Sequence, residues 1–518
     1  MLLRILIAAA SGVGLALAFE PVALPLTIPL AVAGFVVSTR DLRLRSAWIP
    51  GLAFGLAFEF TLLFWMRAVG VDAWIGLSLW QSTYFAVLGL ASTVLQRHRL
   101  WPVWIAAAWV TTELWYSAWP FSGMPWGRLA FAAADTWLAD ALPWVGTVGL
   151  SFALALSGTL LAWLVVFSRG GRERLVAAGA LGGLVLLSLV PLALPWEPEA
   201  DGAATVAVVQ GDVPGNGDDI LYDFRQVTQN QVDVTTRLAA DVAAGREPRP
   251  DFVVWPENST AVDPFRDQQT NAGILAASNA IGVPILVGAI VDAGPDHVLN
   301  QGIVWDPYTG AGDRYTKHHP VVFGEYIPFR KYLDSLQIGR LNMVGRDMVE
   351  GTRKEPLSIA GVEVADSICF DVAYDDAIYA QVSRGAQLLT VQTSNATFIH
   401  THQIDQQFAI TRLRAIETGR WLVVSSTNGV TGVIAPDGSV VASAEPRTQA
   451  ALVEQVELMS SVTPAVRIGP WSGRLLIVVT AVGLLAALVP YRRSRNRPQA
   501  DDATVPSGLA DANESRIE

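Results

Sequence analysis

Cysteine is almost absent from this chain: Cys369 stands alone among 518 residues. No intramolecular disulfide can form, so cysteine usage says nothing about the redox compartment. Charge is scarce too. Asp, Glu, Lys and Arg make up 16 % of the chain, hydrophobic residues 51 %, and the mean hydropathy is +0.36. So apolar a composition at this length excludes an ordinary soluble protein and puts part of the chain in a bilayer. Basic residues are outnumbered, 36 against 47 acidic ones, and the net charge of −11 argues against a nucleic-acid partner. No glycine-rich loop follows a strand and opens a helix, so no nucleotide cofactor is expected. His318-His319 and His400-x-His402 lack the cysteine or acidic cluster that would complete a ligand set, so no metal is expected either.

What is present divides into two halves. Residues 1–195 are apolar runs broken by arginines or Trp/Pro/Gly punctuation, and they predict seven membrane spans at about 3–19, 22–39, 48–68, 73–95, 101–118, 143–167 and 175–195. The first has the flanking arginine of a signal peptide, but either fate leaves the later spans in one orientation. A polar stretch, 196–472, follows and is long enough to fold by itself. An eighth span is expected at 473–490, and a polar, disordered tail at 491–518.

Arginines fix the orientation. They cluster at 40–45, 97–99, 169–174 and 492–497, in alternate loops. The positive-inside rule puts these loops in the cytoplasm and 196–472 outside the cytoplasmic membrane. Glu59 and Glu113 fall inside spans, where a hydrogen-bonded place between helices explains them as well as a function does. Trp48, Trp74, Trp101, Trp119, Trp126, Trp144 and Trp196 near span ends read as interfacial anchors. The aromatic loop 119–142 is expected along the membrane surface.

From residue 203 the periodicity changes to short β-rich runs alternating with helical stretches, which predicts an α/β domain. Hairpin turns are read at 306–310 and 436–438. Three polar side chains end strands here. Phe252–Trp255 leads through Pro256 to Glu257. Arg314–Thr316 leads to Lys317. Val362–Ile368 leads to Cys369. Each alone has a bland reading, a solvated charge or a small buried thiol. Together they make a carboxylate base, an ammonium to face an oxyanion, and a nucleophile, and strand ends converging at one sheet edge are where α/β folds carry chemistry. The Phe370 amide would be a second oxyanion donor.

The ordered set Trp255-Pro256-Glu257, Tyr315-x-Lys317, Val322-Phe323-Gly324-Glu325-Tyr326-Ile327-Pro328 and Ile368-Cys369-Phe370-Asp371 resembles the carbon–nitrogen hydrolase (nitrilase) superfamily. With its membrane spans the chain is similar to the membrane branch, the apolipoprotein N-acyltransferases. The resemblance implies a multi-span α-helical membrane domain joined to a nitrilase-like αββα sandwich. It implies Glu257 as base, Lys317 as stabiliser and Cys369 as nucleophile, with Glu325, Phe370 and Asp371 supporting them. It also implies acyl transfer from a membrane phospholipid, through a cysteine thioester, to the α-amine of a diacylglyceryl-modified apolipoprotein. A membrane-tethered amidase acting on a soluble substrate is the alternative. Two departures from the family pattern, Ala396-Thr397-Phe398 for Ala-Trp-Phe and Gln407 for a common histidine, are expected in loops that handle lipid and acceptor.

Overall fold

The computed structural model describes residues 1–333 and 344–488. The tail 491–518 with its arginine cluster, and the last two residues of the eighth expected span, lie outside the described residues. Helices occupy each of the eight apolar stretches: Leu2–Ala16, Thr27–Ser38, Leu44–Leu62, Val71–Leu95, Trp101–Tyr116, Leu142–Ala162, Gly171–Ser188 and Trp471–Leu488. The second starts later than expected, because Pro21 and Pro25 keep the preceding chain in turns. Two continuous stretches, Trp137–Phe167 and Gly171–Ala193, are long and apolar enough to cross a bilayer on length and composition alone. Phe35, Phe54, Phe85 and Trp109 pack edge-to-face or tilted at the bundle's centre, with ring centroids 5.0–5.9 Å apart. The first helix buries Ala8 and Leu15 in this bundle.

The polar half is a four-layer sandwich. One sheet holds β1 (Ala200–Gln210), β2 (Phe252–Val254), β3 (Ile285–Asp292), β4 (His297–Asp306) and β5 (Gly310–Thr316), with short β6 (Asp347–Met348) beside β4. The other holds β7 (Leu357–Ile359), β8 (Val362–Ile368), β9 (Leu388–Thr393), β10 (Leu422–Ser426), β11 (Thr431–Ile434) and β12 (Val440–Ala444). The last strand, β13 (Ala450–Met459), crosses back and pairs antiparallel with β1. At the centre of each sheet the strands are parallel: β1–β2–β3 in one and β8–β9–β10 in the other. Val206, Val208, Phe252, Val254, Val364, Ile368 and Val423 form the dry layer between the sheets. Helices Phe224–Ala243 and Gln268–Ile281 cover the first sheet; Asp376–Val382 and Gln403–Thr418 cover the second.

Two expectations need correction. The segment 119–142 does not simply lie along a surface: Trp119, Phe121 and Trp137 stay exposed, but its middle turns inward. It folds into short 3-10 turns, Pro125–Gly127, Leu129–Ala133 and Trp137–Ala141, with Trp126, Leu129, Ala130 and Phe131 buried. Trp126 donates its indole N–H to Gln406 Oε1 at 2.7 Å, so it is a structural bridge and not an interfacial anchor. Nor is 196–472 self-contained. One continuous core runs from Phe54 and Trp109 of the helical bundle through Phe131 and Leu142 to Leu389, Leu413 and Ile416 under the second sheet.

Charges reinforce this junction. Arg128 donates to Asp375 (2.8 Å) and to Thr147 Oγ1 (2.7 Å), and the Arg414 guanidinium forms an ion pair with the same Asp375 oxygen at 2.8 Å. Gly146 breaks the helix Leu142–Ala162 with φ 66°, ψ 177°, which turns the Thr147 N–H to Glu417 Oε1 at 2.7 Å. A Cβ at Gly146 would stand 3.1 Å from the Tyr379 hydroxyl, so a side chain is unwelcome there as well as strained. In the bundle, Glu113 accepts the Leu129 N–H at 2.9 Å, and Glu59 is buried.

Candidate active site

Glu257, Lys317 and Cys369 come together, but from facing sheets and not from one edge. Glu257 follows β2 and Lys317 follows β5 in the first sheet, whereas Cys369 follows β8 in the second. The loop carrying Glu257 crosses close over β3, where Gly288 is required: a Cβ there would lie 2.1 Å from the Pro256 carbonyl oxygen.

Glu257 is buried and fully engaged. Its Oε1 accepts from Asn300 Nδ2 at 2.7 Å and from Lys317 Nζ at 3.1 Å, and its Oε2 accepts the Ser394 N–H at 2.8 Å. Lys317 is 1 % exposed and bridges two acids, with Glu325 Oε1 at 2.7 Å from its Nζ. Glu325 Oε2 in turn accepts the Val321 N–H at 2.7 Å. Burial alone would lower the Lys317 ammonium, but Glu257 and Glu325 outweigh it and hold the group well above its ordinary range. Burial raises the Glu325 carboxyl; Lys317 opposes the rise and Glu257 adds to it.

Cys369 opens a short 3-10 turn, Cys369–Ala373, and sits at φ 53°, a left-handed conformation uncommon for a side-chain-bearing residue. The turn reverses the chain sharply out of β8 and presents the thiol at the strand end. Burial pushes the Cys369 thiol up to about 12; Glu257 adds to the rise, while Lys317 opposes it. At neutral pH the sulfur therefore rests as thiol and needs a base in contact with the site. Asp371, also buried, accepts from Tyr315 Oη (3.0 Å) and from the backbone N–H groups of His318 (3.1 Å) and His319 (2.7 Å). It locks the turn bearing the thiol to the loop that follows the amine.

The wall facing the helical bundle is aromatic. Phe370 stacks on Trp126 at 6.1 Å, Trp126 meets Trp65 at 5.5 Å, and Trp65 meets Phe398 edge-on at 5.3 Å. Phe121 touches Phe323 and Phe329 on the loop that carries Glu325.

Sequence reasoning missed several neighbours. Asn300, Thr393 and the Ser394 amide reach the site only through the strand pairing that aligns β4 and β9 with it, which no local pattern encodes. Gln407 is on the helix Gln403–Thr418, which the sequence predicts at about 403–419, but its Nε2 lies 3.8 Å from Cys369 Sγ, a contact the sequence does not show. Phe398, from the other departing segment, is in a 3-10 turn packed on Trp65. The histidine pair gains an acid that sequence did not offer: His319 Nε2 lies 2.9 Å and His318 Nε2 3.8 Å from Asp376. His319 stacks on Tyr374 at 3.7 Å, so this cluster ties the loop after Lys317 to the segment after Cys369.

Comparison with known sequences finds two family matches in order along the chain. Residues 11–160 match the apolipoprotein N-acyltransferase N-terminal domain, and residues 205–462 match the carbon-nitrogen hydrolase family. An apolipoprotein N-acyltransferase from Mycolicibacterium smegmatis is 38 % identical over 509 residues, 93 % of this chain and 85 % of the relative. One from Ralstonia nicotianae is 30 % identical over 519 residues, 94 % of each chain. Among solved structures, an amidase from Nesterenkonia sp. covers 52 % of this chain and 95 % of its own, at 16 % sequence identity and a TM-score of 0.37.

Proposed function

From the premise that the chain belongs to the apolipoprotein N-acyltransferase family, and is thus a membrane acyltransferase, we propose a ping-pong transfer carried by Glu257, Lys317 and Cys369. The acyl donor is a membrane phospholipid. The acceptor is the free α-amine of the diacylglyceryl-cysteine that begins an apolipoprotein. The observation that carries this reading is the juxtaposition of a buried Glu257–Lys317 pair and the half-buried Cys369 with an aromatic wall shared with the apolar helices.

In the first half-reaction Glu257 takes the thiol proton and Cys369 Sγ attacks the ester carbonyl carbon. The oxyanion that forms is faced by the Lys317 ammonium and the backbone N–H of Phe370. The C–O bond breaks, the proton returns from Glu257 to the leaving alkoxide, and a lysophospholipid departs. A thioester remains on Cys369. In the second half-reaction the lipoprotein amine attacks the thioester, Glu257 takes its proton, and the amide forms as the thiolate leaves and is reprotonated. Glu325 keeps Lys317 charged and aimed, Asp371 holds the two loops in register, and Phe370 supplies both an amide and the apolar wall. No cofactor and no metal enters any step.

Both substrates are anchored in the outer leaflet, so the site must stand at that surface. Eight spans with arginines in alternate loops give a catalytic domain outside the cytoplasm of a bacterial inner membrane. The domain division follows: 1–195 membrane helices, 196–472 catalytic, 473–490 the last span, 491–518 cytoplasmic.

The test is the intermediate. Enzyme mixed with phospholipid alone should carry one acyl chain on Cys369, labile to neutral hydroxylamine and discharged by a diacylglyceryl-cysteine peptide with a free amine. An N-acetylated peptide should leave it loaded. A transferase must keep water from the thioester, so rapid release of free fatty acid with no transfer would favour a membrane-tethered amidase instead. Measured transfer with no adduct on Cys369 would end the proposed mechanism.

A further inference from the structure

Gln407 is turned to the sulfur by a chain of neutral hydrogen bonds. Its Oε1 accepts from Asn395 Nδ2 at 3.0 Å and from Gln403 Nε2 at 3.1 Å. Two donors on the oxygen leave only the amino group free to face inward, where it lies 3.1 Å from Thr393 Oγ1 and 3.8 Å from Cys369 Sγ. Asn395 is held in its turn: its Oδ1 accepts the Ser426 hydroxyl at 2.8 Å, and Ser426 Oγ accepts the Gly429 N–H at 2.9 Å. The orientation of the Gln407 amide is thus set from the backbone outward. Gln407, Gln403, Asn395, Thr393 and Ser426 are all buried. Thr393 Oγ1 accepts from Gln407, which leaves its own proton to turn toward the sulfur, and a Thr393 hydrogen bond favours the thiolate.

We propose that Gln407 is a further catalytic residue, a neutral hydrogen-bond donor to the Cys369 sulfur that acts with the Thr393 hydroxyl to stabilise the thiolate and fix its line of attack. The proposal deepens the acyl-transfer reading and rests on it. Its chemistry follows from the charges around the thiol. Glu257 and Glu325 oppose a thiolate, Lys317 favours it, and burial disfavours it. A second cation beside the sulfur would also pair with Glu257 and blunt it as a base. An amide N–H favours the thiolate with no such competition, and its donor strength does not change with pH. Both donors reach the sulfur from β9 and the helix Gln403–Thr418 behind it, whereas Glu257, Lys317 and Glu325 belong to the first sheet and its loops.

The sole cysteine makes the test clean, because iodoacetamide reports on Cys369 alone in the full-length protein. Alkylation rates are followed against pH for wild type, Gln407→Glu, Gln407→Leu, Gln407→His and Thr393→Val. Gln407→Glu keeps the oxygen that Asn395 and Gln403 bond but replaces the donor with a second acceptor that can carry negative charge, so it opposes the thiolate twice over, whereas Gln407→Leu removes the donor without adding charge. Gln407→Glu should slow alkylation at neutral pH by about tenfold or more, the worth of a hydrogen bond to a charged group, and move the profile to higher pH. Gln407→Leu should do the same, Thr393→Val should move it less, and Gln407→His should restore much of the rate. If Gln407→Leu fails to fold, Gln407→Met, also neutral and without a donor, takes its place beside Thr393→Val. A wild-type profile in folded Gln407→Leu or Gln407→Met overturns the proposal. Failure of the acyl-transfer reading is a separate result: the alkylation profile would still shift, but phospholipid would leave no adduct on Cys369.

Discussion

The carboxylate of Asp371 accepts the backbone N–H of His319 at 2.7 Å, and through it the loop behind Lys317 is bonded to the turn that carries Cys369. Asp371 also takes the His318 N–H and the Tyr315 hydroxyl. An asparagine has one acceptor oxygen where the carboxylate has two, so Asp371→Asn leaves at least one of these buried donors unmet. We expect kcat to fall by on the order of tenfold, the equivalent of about 1–3 kcal/mol. KM should change little, since the side chain touches no substrate. Steady-state transfer to a diacylglyceryl peptide measures both; an unchanged kcat would mean the register of the two loops does not limit the reaction.

Substitutions within the cluster should separate by role. Cys369→Ala and Glu257→Ala should abolish acyl loading in protein that remains inserted and folded, and Lys317→Ala should slow it about a hundredfold or more, as loss of an oxyanion donor does. Arg266→Ala is the control. Arg266 precedes the helix Gln268–Ile281 and pairs with Asp263 and Asp292 while remaining largely exposed. Exposed pairs contribute about 0–1 kcal/mol, so its activity should match wild type. Full activity in Cys369→Ala would remove the nucleophile.

Asp366 predicts a pH-dependent stability. It lies inside the sandwich, with Oδ1 bonded to Thr390 Oγ1 at 2.8 Å and Oδ2 beside the Gly302 backbone. Burial pushes its carboxyl up to about 7, against the opposing Thr390 hydrogen bond. The unfolded chain releases this proton near pH 4, and the folded protein holds it until about 7. Between those values the folded state binds more protons, so the contribution of Asp366 to stability falls as pH rises and then levels off. Asp366→Asn removes the titration. Its melting temperature relative to wild type should climb from pH 4 to pH 7 and then stay constant. A difference that does not change with pH would show that Asp366 is ionised in the fold.

The orientation has its own test. A reporter active only outside the cytoplasm, fused near residue 230, should be active; fused after residue 497 it should be silent. The reverse pattern would overturn both the sidedness and the lipoprotein acceptor.

The parts of this molecule legible in its sequence are those encoded locally. The β2, β5 and β8 strands end on Glu257, Lys317 and Cys369, and each end could be read from its alternation and its punctuation. The eight apolar helices were equally plain. The partners that tune the cluster were not. Gln407 sits one turn into an ordinary-looking helix, and only the packing of that helix on β9 brings it to the sulfur. Asn300 is an unremarked polar position in the middle of β4. The strand β13 was not read at all, since the Glu and Gln in Ala450–Met459 disguise a strand that closes the first sheet against β1. The loop 119–142 misled for the opposite reason: its aromatic composition suits a lipid surface and a protein interior equally well, and the interior won because Trp126 finds both Gln406 and Phe370 there.

The break at Gly146 has a bearing on any attempt to work with the catalytic half alone. Because Thr147 gives its amide to Glu417, and Arg128 shares Asp375 with Arg414, the bundle supplies the partners for charges that belong to the sandwich. Arg414 also donates to the Val372 carbonyl at 2.8 Å, inside the nucleophile turn itself. Severing the chain near residue 196 would strip these partners away and open the apolar underside of the second sheet to water. The excised fragment would then be sticky in solution and slack around its thiol, so a soluble surrogate of this enzyme would have to be rebuilt along that face.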